Sequence, residues 1–323
     1  MEFFKQTKTI DFMGKSKIAI AVSIMLVLLS WGILAVKGLN YGIDFAGGTL
    51  VQVKYEGKAP IDEIRTTLSG NPVYDGAQIT EFGSPDEIVI RLKSSSKDVT
   101  SDMGDVTREA LKGTGDFEVR RVDIVGPKVG GELREKGVMA MLLAILGILI
   151  YVAVRFEWRF AVASIVALIH DVSIAMGAIA LFGIDVNLDV LAALLTLLGY
   201  SLNDTIIVFD RIREGITGSK TTELSELINE SVTKTLSRTT LTSLTTFFVI
   251  LTLFLFGGEI IHAFAFTLLV GIVVGTYSSI FVASPILMWF GFNVGNYRTK
   301  LADAAKRRAE KEKMRAMYEQ GTV

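Results

Sequence analysis

Ionisable residues interrupt three long apolar segments of the sequence, where each charge needs a physical reason. Asp204 lies within one segment, Arg238 opens a second, and Asp171 lies near the middle of a third. An ionisable side chain at mid-membrane costs roughly 2.5–3.5 kcal/mol, so each one requires a partner, a water-filled cavity or a function. All three are therefore candidate functional residues, and Arg238 could form an ion pair with Asp204 if the helix that Arg238 opens begins a turn or two earlier.

Structural alternatives remain open for these charges. Arg238 could extend to the inner headgroups beside an anionic lipid, and Asp204 could serve helix packing through hydrogen bonds. His170 directly precedes Asp171, so the two side chains leave a helix about 100° apart and we expect no pair between them. His170 fits a packed residue at a helix interface better than a proton relay.

Small and hydroxyl-bearing residues mark the last two apolar segments. The hydroxyl residues that follow Arg238 are Thr239, Thr240, Thr242, Ser243, Thr245 and Thr246. They fit ordinary packing, with hydroxyls bonded to carbonyls of their own helix, as well as a hydrated face. Gly271 and Gly275 are four residues apart, a spacing that lets two helices approach closely and predicts helix packing.

The composition places these residues in a membrane. Of 323 residues 50% are hydrophobic and 21% are charged, and the mean hydropathy is +0.46, which is too apolar for an ordinary soluble domain. Six apolar stretches each approach the ~20 residues that a helix needs to cross a hydrocarbon core. They cover residues 18–36, 137–154, 160–182, 188–209, 237–256 and 263–290. The predicted fold class is a polytopic α-helical membrane protein with six transmembrane helices.

Several classes of function are disfavoured by residue counts. The 33 basic and 34 acidic residues nearly cancel, so we expect no nucleic-acid partner. The chain has no cysteine and two histidines, which excludes disulfides and thiolate metal sites and argues against any metal centre or cofactor. An intramembrane enzyme built on His170, Asp171 and Asp204 is a weak alternative, because no nucleophile motif or metal spacing accompanies them.

Lys and Arg residues are distributed unevenly over the connecting segments. They number four in residues 1–17, two in 155–159, five in 210–238 and eight from residue 298 onward, whereas the links 183–187 and 257–262 have none. The positive-inside rule therefore predicts a cytoplasmic N-terminus (1–17), a cytoplasmic amphipathic link (210–236) and a basic cytoplasmic tail (291–323). Residues 37–136 then form an extracytoplasmic domain behind a first helix that we interpret as an uncleaved anchor.

The outer domain has the pattern of a small α+β fold. Alternating apolar residues predict strands at 50–55, 73–82, 88–92 and 117–125. Helical spacing is found at 61–68 and again at 99–110. The order β-α-β-β-α-β predicts a ferredoxin-like domain with two helices on one face of a four-stranded antiparallel sheet. The apolar phase slips between Val119 and Val122, which predicts a bulge near residues 120–121.

Four short motifs connect these segments to a known family. They read GIDFAGG at 42–48, VGPKVG at 125–130, YSLNDTIIVFDRIRE at 200–214 and TLSRT at 235–239. In this order they resemble the SecD/SecF family of protein-export membrane proteins, on its SecF side, and the resemblance covers residues 10–290. The motif residues that carry it include Gly42, Asp44, Gly47, Gly48, Ser201, Asp210 and Arg211.

The resemblance implies one half of a transporter of the resistance-nodulation-division type, which uses the proton-motive force to promote protein export. It implies four partners, which are a SecD-like subunit, the Sec translocation channel, an unfolded preprotein and the lipid bilayer. It also implies that the protein lies in the inner membrane and is not an enzyme. It assigns proton transport to Asp204 and Arg238. We expect Asn203 to support these two residues without carrying the proton itself. Asp171 is added as a candidate proton-transport residue only because it is expected to be deeply buried. Proton-coupled export of small molecules or lipids is the alternative, although such exporters have two much larger outer domains.

Overall fold

A computed structural model of the chain describes residues 9–92, 102–219 and 221–319. The helices are α1 Ser16–Lys37, α2 Ile43–Ala46, α3 Ile61–Ser69, α4 Met103–Ala110, α5 Pro127–Arg155, α6 Trp158–Phe182, α7 Leu188–Gly218, α8 Leu224–Phe256, α9 Glu259–Ser278, α10 Ser284–Trp289 and α11 Val294–Glu319. The strands are β1 Gly48–Tyr55, β2 Gln78–Phe82, β3 Ser84–Leu92 and β4 Phe117–Val125. A π-helical turn, Ser279–Ala283, joins α9 to α10.

Six helical segments of the described chain are long and apolar enough to cross a membrane. They are α1, α5, α6, α7, α8 and the combined segment Glu259–Trp289. The predicted polytopic helical class is confirmed. α5 begins at Pro127, well before the predicted start of the second span, because proline is favoured at the first helical position and its missing N–H removes no hydrogen bond there.

The prediction of a separate amphipathic link at 210–236 is wrong. α7 continues to Gly218 and α8 already begins at Leu224, so only a short loop separates them. The apolar residues of this region are buried against one another, with Ile212 and Leu227 fully inaccessible. A continuous helix buries such a stripe without a break, so both helices extend beyond their apolar spans.

The outer domain has the predicted ferredoxin-like order. Its sheet is antiparallel throughout, in the order β2-β3-β1-β4. Val53 and Ile90 from the central strands share one core with Ile64 of α3 and Met103 of α4. The part of the helix predicted before residue 102 lies outside the described residues.

Of two local predictions for the sheet, the structure confirms one and contradicts the other. The predicted bulge is confirmed, because Gln52 pairs with Arg121 and Val53 pairs with Val119, which leaves Arg120 as the extra residue. The predicted strand 73–82 is too long, since β2 begins only at Gln78. A 3₁₀ turn occupies Pro72–Tyr74, where proline removes a ladder donor and the Asn71 side chain accepts from the Val73 N–H at 3.0 Å.

The segment 42–48 fastens the outer domain to the membrane helices. Gly42 N–H donates to the Val186 carbonyl at 2.9 Å, and Asp44 Oδ2 accepts from Leu188 N–H, at the first residue of α7, at 3.0 Å. Gly47 has φ +72°, and a Cβ there would lie 2.8 Å from Pro127 Cα. The segment therefore contacts the first residues of both α7 and α5, directly before β1.

Gly47→Ala should loosen this junction. The new methyl group would collide with backbone at Pro127 while the residue keeps a conformation that favours glycine, which costs about 1–3 kcal/mol. We expect a lower melting temperature for the purified chain in detergent. Gly57→Ala is the matched control, since a Cβ at Gly57 meets open space. Equal melting temperatures for the two variants would contradict the close contact.

Candidate functional site

A layer of polar side chains crosses the bundle between two apolar clusters. Phe160 and Phe209 belong to the cluster nearer the α7–α8 loop, and Ile179 and Leu197 belong to the cluster nearer the outer domain. The buried polar residues between them are His170, Asp171, Ser201, Asp204, Thr205, Ser243, Ser278 and Ser279. We call these eight residues the polar layer.

Asp171 is the centre of one half of the polar layer. It is fully buried, and its Oδ2 accepts hydrogen bonds from Ser201 Oγ on α7 at 2.5 Å and from Ser278 Oγ at the end of α9 at 2.8 Å. Hydrogen bonds to a charged group contribute about 1.5–3 kcal/mol each. Asp171 therefore joins α6 to two other spans.

His170 and Asp171 form a pair, so the prediction that they would not is wrong. His170 Nδ1 lies 2.8 Å from Asp171 Oδ1. The Cβ atoms of adjacent residues do diverge on a helix, but Nδ1 and Oδ1 both lie close to the backbone, and rotation about the side-chain bonds brings them together. His170 is also packed, since its ring stacks on Tyr277 with centroids 6.4 Å apart.

Asp204 is the centre of the other half of the polar layer. It is fully buried on α7, and its Oδ2 accepts from Ser243 Oγ on α8 at 3.0 Å. Thr276 Oγ1 on α9 lies 2.9 Å from the same Ser243 oxygen, which continues the chain of hydroxyls to a third helix. The site therefore joins α7, α8 and α9 through one carboxylate.

Two atoms of the polar layer have no hydrogen-bond partner. They are His170 Nε2 and Asp204 Oδ1, two of the four buried side-chain polar atoms without a partner in the described part of the chain. An unpaired polar atom at this depth costs about 1–3 kcal/mol, so such atoms are rare and often functional. Both are able to accept a proton.

Arg238 does not pair with Asp204, contrary to the sequence-based expectation. Although α8 does begin much earlier than residue 238, Arg238 is exposed and makes no ion pair with the carboxylate. It is five residues from Ser243, which faces Asp204, and five residues rotate a helix by about 140° in excess of a full turn. Asn203 is exposed as well and makes no hydrogen bond with Asp204.

Arg238 instead lines a cavity at the α7–α8 loop end of the bundle. The cavity has a volume of 570 Å³, and Asp210 and Arg211 line it too. Asp210 lies 3.5 Å from Arg155 at the end of α5, and Arg211 lies 2.6 Å from Glu214 on its own helix. Asp210 therefore ties α7 to the end of α5, the Arg211 pair stays within α7, and both lie away from the polar layer.

The glycines of α9 let it approach α7 closely. A Cβ at Gly275 would lie 3.1 Å from Ser201 Cβ, and a Cβ at Gly271 would press on the Leu197 side chain. A larger residue would separate the helices at the level where Ser201 bonds Asp171. The close approach thus supports the polar layer.

Sequence reasoning did not assign a hydroxyl to either carboxylate, although Ser201 belongs to the family motif. Ser243 was one of six hydroxyl residues after Arg238, and nothing in the sequence selected it. Ser278 and Thr276 lie in the sixth span, where only the glycine spacing gave a signal. The π turn Ser279–Ala283, directly after Ser278, was also missed. Such turns inside helices are often found at functional sites.

Ser243→Ala should destabilise the bundle. It leaves Asp204 without a hydrogen bond from α8, and an unsatisfied buried acceptor costs about 1–3 kcal/mol. The measurement is the melting temperature of the purified chain in detergent. Thr246→Val is the matched control, because the Thr246 hydroxyl is exposed and bonds only a carbonyl of α8. If both variants melted alike, Ser243 would not support the carboxylate.

Comparison with known families identifies two matching regions. The family described as protein export membrane protein SecD/SecF, C-terminal, matches residues 106–293. The SecD/SecF GG motif matches residues 32–59, which include the segment that fastens the outer domain. Together the two regions include five of the six spans in full and the last six residues of α1.

Related proteins agree over most or all of the chain. Protein translocase subunit SecF of Helicobacter pylori strain J99 is 49% identical over 323 residues, which is 100% of both chains. Protein translocase subunit SecF of Calditerrivibrio nitroreducens is 47% identical over 292 residues, covering 89% of this chain and 96% of the relative.

Solved structures show the same fold. SecDF, a translocon-associated membrane protein from Thermus thermophilus, matches 90% of this chain with a TM-score of 0.80 at 39% identity, and SecDF in a super-membrane-facing form matches 94% with 0.66 at 38%. This chain spans 40% of the first SecDF chain and 41% of the second. The matched regions and the full-length SecF relatives show that the chain belongs to the SecD/SecF family, as a SecF member.

Proposed function

We propose that this chain is the SecF half of a complex that uses the proton-motive force to promote preprotein translocation through the Sec channel. Its relatives are named protein translocase subunits, and a similar solved structure is described as translocon-associated. The observation that carries the proton coupling is Asp204, a fully buried carboxylate with one oxygen that has no partner.

Asp204 can exchange a proton with little change in its surroundings. A proton added to the free Oδ1 neutralises the carboxylate and leaves the Ser243 bond to Oδ2 in place. A hydrogen bond to a charged acceptor is roughly twice as strong as one between neutral groups. Each proton would therefore weaken or restore the attraction between α7 and α8.

α7 offers a mechanical route from Asp204 to the outer domain. It runs without interruption from the polar layer to Leu188, whose N–H is bonded by Asp44. Asp44 lies in the segment that leads into β1, and Arg91 of β3 pairs with Asp185 in the α6–α7 link. A displacement of α7 would move these contacts and, with them, the outer domain.

The energy available per proton limits what one step can do. One charge that crosses 100 mV releases about 2.3 kcal/mol, comparable to one or two hydrogen bonds. That suffices to shift a helix contact and does not suffice to unfold a stable cargo. We propose repeated small movements of the outer domain that bias the diffusion of an unfolded preprotein.

Arg238 and Asn203 have supporting roles in this proposal. Arg238 lies on α8 one and a half turns from Ser243, so rotation of α8 would change its distance from Asp204. Asn203 is an exposed amide beside Asp204 on α7 and is available to a SecD-like subunit. We propose protons as the only coupling ion and a transport-accessory role in place of catalysis.

Translocation into inverted inner-membrane vesicles that contain the SecD partner tests the proposal. At matched expression, Asp204→Asn and Arg238→Met should lose the component of preprotein translocation that depends on the proton-motive force and keep the component that does not. Asp62→Asn is the control, because Asp62 is a fully exposed carboxylate of the outer domain. Unchanged force-dependent translocation in both test variants would make these charges structural and return small-molecule export to contention.

The proposed orientation places both termini in the cytoplasm and the outer domain outside. Since the chain has no cysteine, single cysteines can be introduced at exposed lysines, Lys112→Cys in the outer domain and Lys306→Cys in α11. A membrane-impermeant maleimide should label Lys112→Cys in intact cells with an opened outer envelope, and Lys306→Cys only after the inner membrane is permeabilised. The opposite pattern would reverse the proposed topology.

A further inference from the structure

His170 is buried in the polar layer with one of its two ring nitrogens in use. Its Nδ1 lies 2.8 Å from Asp171 Oδ1, while its Nε2 has no partner and the side chain is only 6% exposed. The sequence favoured simple packing for this residue. A ring needed only for its shape could be an apolar one, which would avoid an unpaired nitrogen that costs about 1–3 kcal/mol.

Asp171 determines which nitrogen of the ring carries hydrogen. Its Oδ2 accepts from Ser201 and Ser278, so the carboxylate acts as an acceptor and offers Oδ1 to the imidazole. With Asp171 ionised, Oδ1 accepts and Nδ1 donates, and in a neutral imidazole the second nitrogen is then a lone-pair acceptor. Nε2 of His170 is therefore an open proton-accepting atom inside the bundle.

Among the residues that the structure describes, Asp171 is the one charged group paired with this imidazole. Tyr277 stacks on the ring, but its hydroxyl is bonded to a carbonyl of α1. The other titratable side chains midway along the helices that pack on α6 are Asp204 and Tyr200 on α7, and neither bonds His170. Tyr151 lies near the end of α5. The Lys, Arg and Glu residues of these helices lie toward the helix ends.

We propose that His170 and Asp171 form a second proton-binding site in this chain, separate from Asp204, in which His170 Nε2 accepts the proton. The proton adds to the Nε2 lone pair and no existing hydrogen bond is broken. The net charge of His170 and Asp171 together changes from minus one to zero. The proton is released when the new Nε2–H bond breaks. Asp171 is the positioning residue, because it fixes the tautomer and the ring. The inference deepens the proposed function and rests on it.

The two sites are linked by the helices that they share. On α9, Ser278 bonds Asp171, while Thr276 contacts the hydroxyl that bonds Asp204. On α7, Ser201 and Asp204 are three residues apart and serve different sites. Proton uptake at either site therefore acts on the same pair of helices.

A pH titration of the imidazole tests the site directly. The whole chain is produced with ¹⁵N-labelled histidine rings in nanodiscs of phosphatidylethanolamine and phosphatidylglycerol. Because the chain has two histidines, His262→Asn leaves His170 as the single source of signal. As the pH is lowered we expect the Nδ1–H tautomer to convert to the doubly protonated ring, and Asp171→Asn to change that conversion.

If His170 and Asp204 are separate proton-binding sites, the His170 ring should still become doubly protonated in the Asp204→Asn variant. A ring that keeps one protonation state throughout the titration would overturn the inference. Loss of the conversion in Asp204→Asn would also overturn it, because the imidazole would then report on Asp204 alone.

Translocation with the SecD partner supplies the functional test. His170→Asn keeps a donor at the position of Nδ1 and removes Nε2, and it should lose the force-dependent component. Ser164→Ala is the control, since that buried hydroxyl on α6 bonds only a carbonyl of its own helix. If His170→Asn is unaffected while Asp204→Asn loses the component, the second site is refuted and the proposed function stands. If Asp204→Asn is unaffected as well, the proposed function itself fails.

Discussion

Two carboxylates buried in an apolar bundle impose the constraint on which the membrane half of the chain depends. Lipid offers no hydrogen bonds, so polar groups at that depth must be satisfied by neighbouring helices. Asp171 takes Ser201 from α7 and Ser278 from α9, and Asp204 takes Ser243 from α8. Four helices are thereby fixed in rotation about their axes. The glycines of α9 follow from the same constraint, because short hydroxyl side chains bridge only closely packed helices.

The architecture depends largely on patterns that are local in the sequence, and most of it could be predicted for that reason. Apolar length sets the six spans, and alternation sets the outer sheet down to the bulge at Arg120. Hydropathy alone does not set the helix limits. α7 and α8 continue past their apolar spans because side chains such as Ile212 and Leu227 remain buried there.

The candidate site depends on how each helix is rotated about its axis, which local patterns do not state. Asp171 and Asp204 could be identified because a charge within an apolar segment is costly. Their partners could not, because equal depth does not bring two side chains together. Arg238 matches the level of the site closely enough to suggest a pair and yet points away from Ser243. The contact between His170 and Asp171 was missed for a related reason, because the Cβ atoms of adjacent helical residues point in different directions.

The two carboxylates also acquire their partners at different times while the chain is being made. The imidazole partner of Asp171 precedes it by one residue, so that hydrogen bond forms within a single helix. Asp204 waits for Ser243, which lies 39 residues later and on another helix. Until α8 is present, a lone carboxylate in lipid costs roughly 2.5–3.5 kcal/mol. Insertion of α7 during biogenesis is therefore less favourable until α8 follows, which favours entry of α7 and α8 into the bilayer as a helical hairpin.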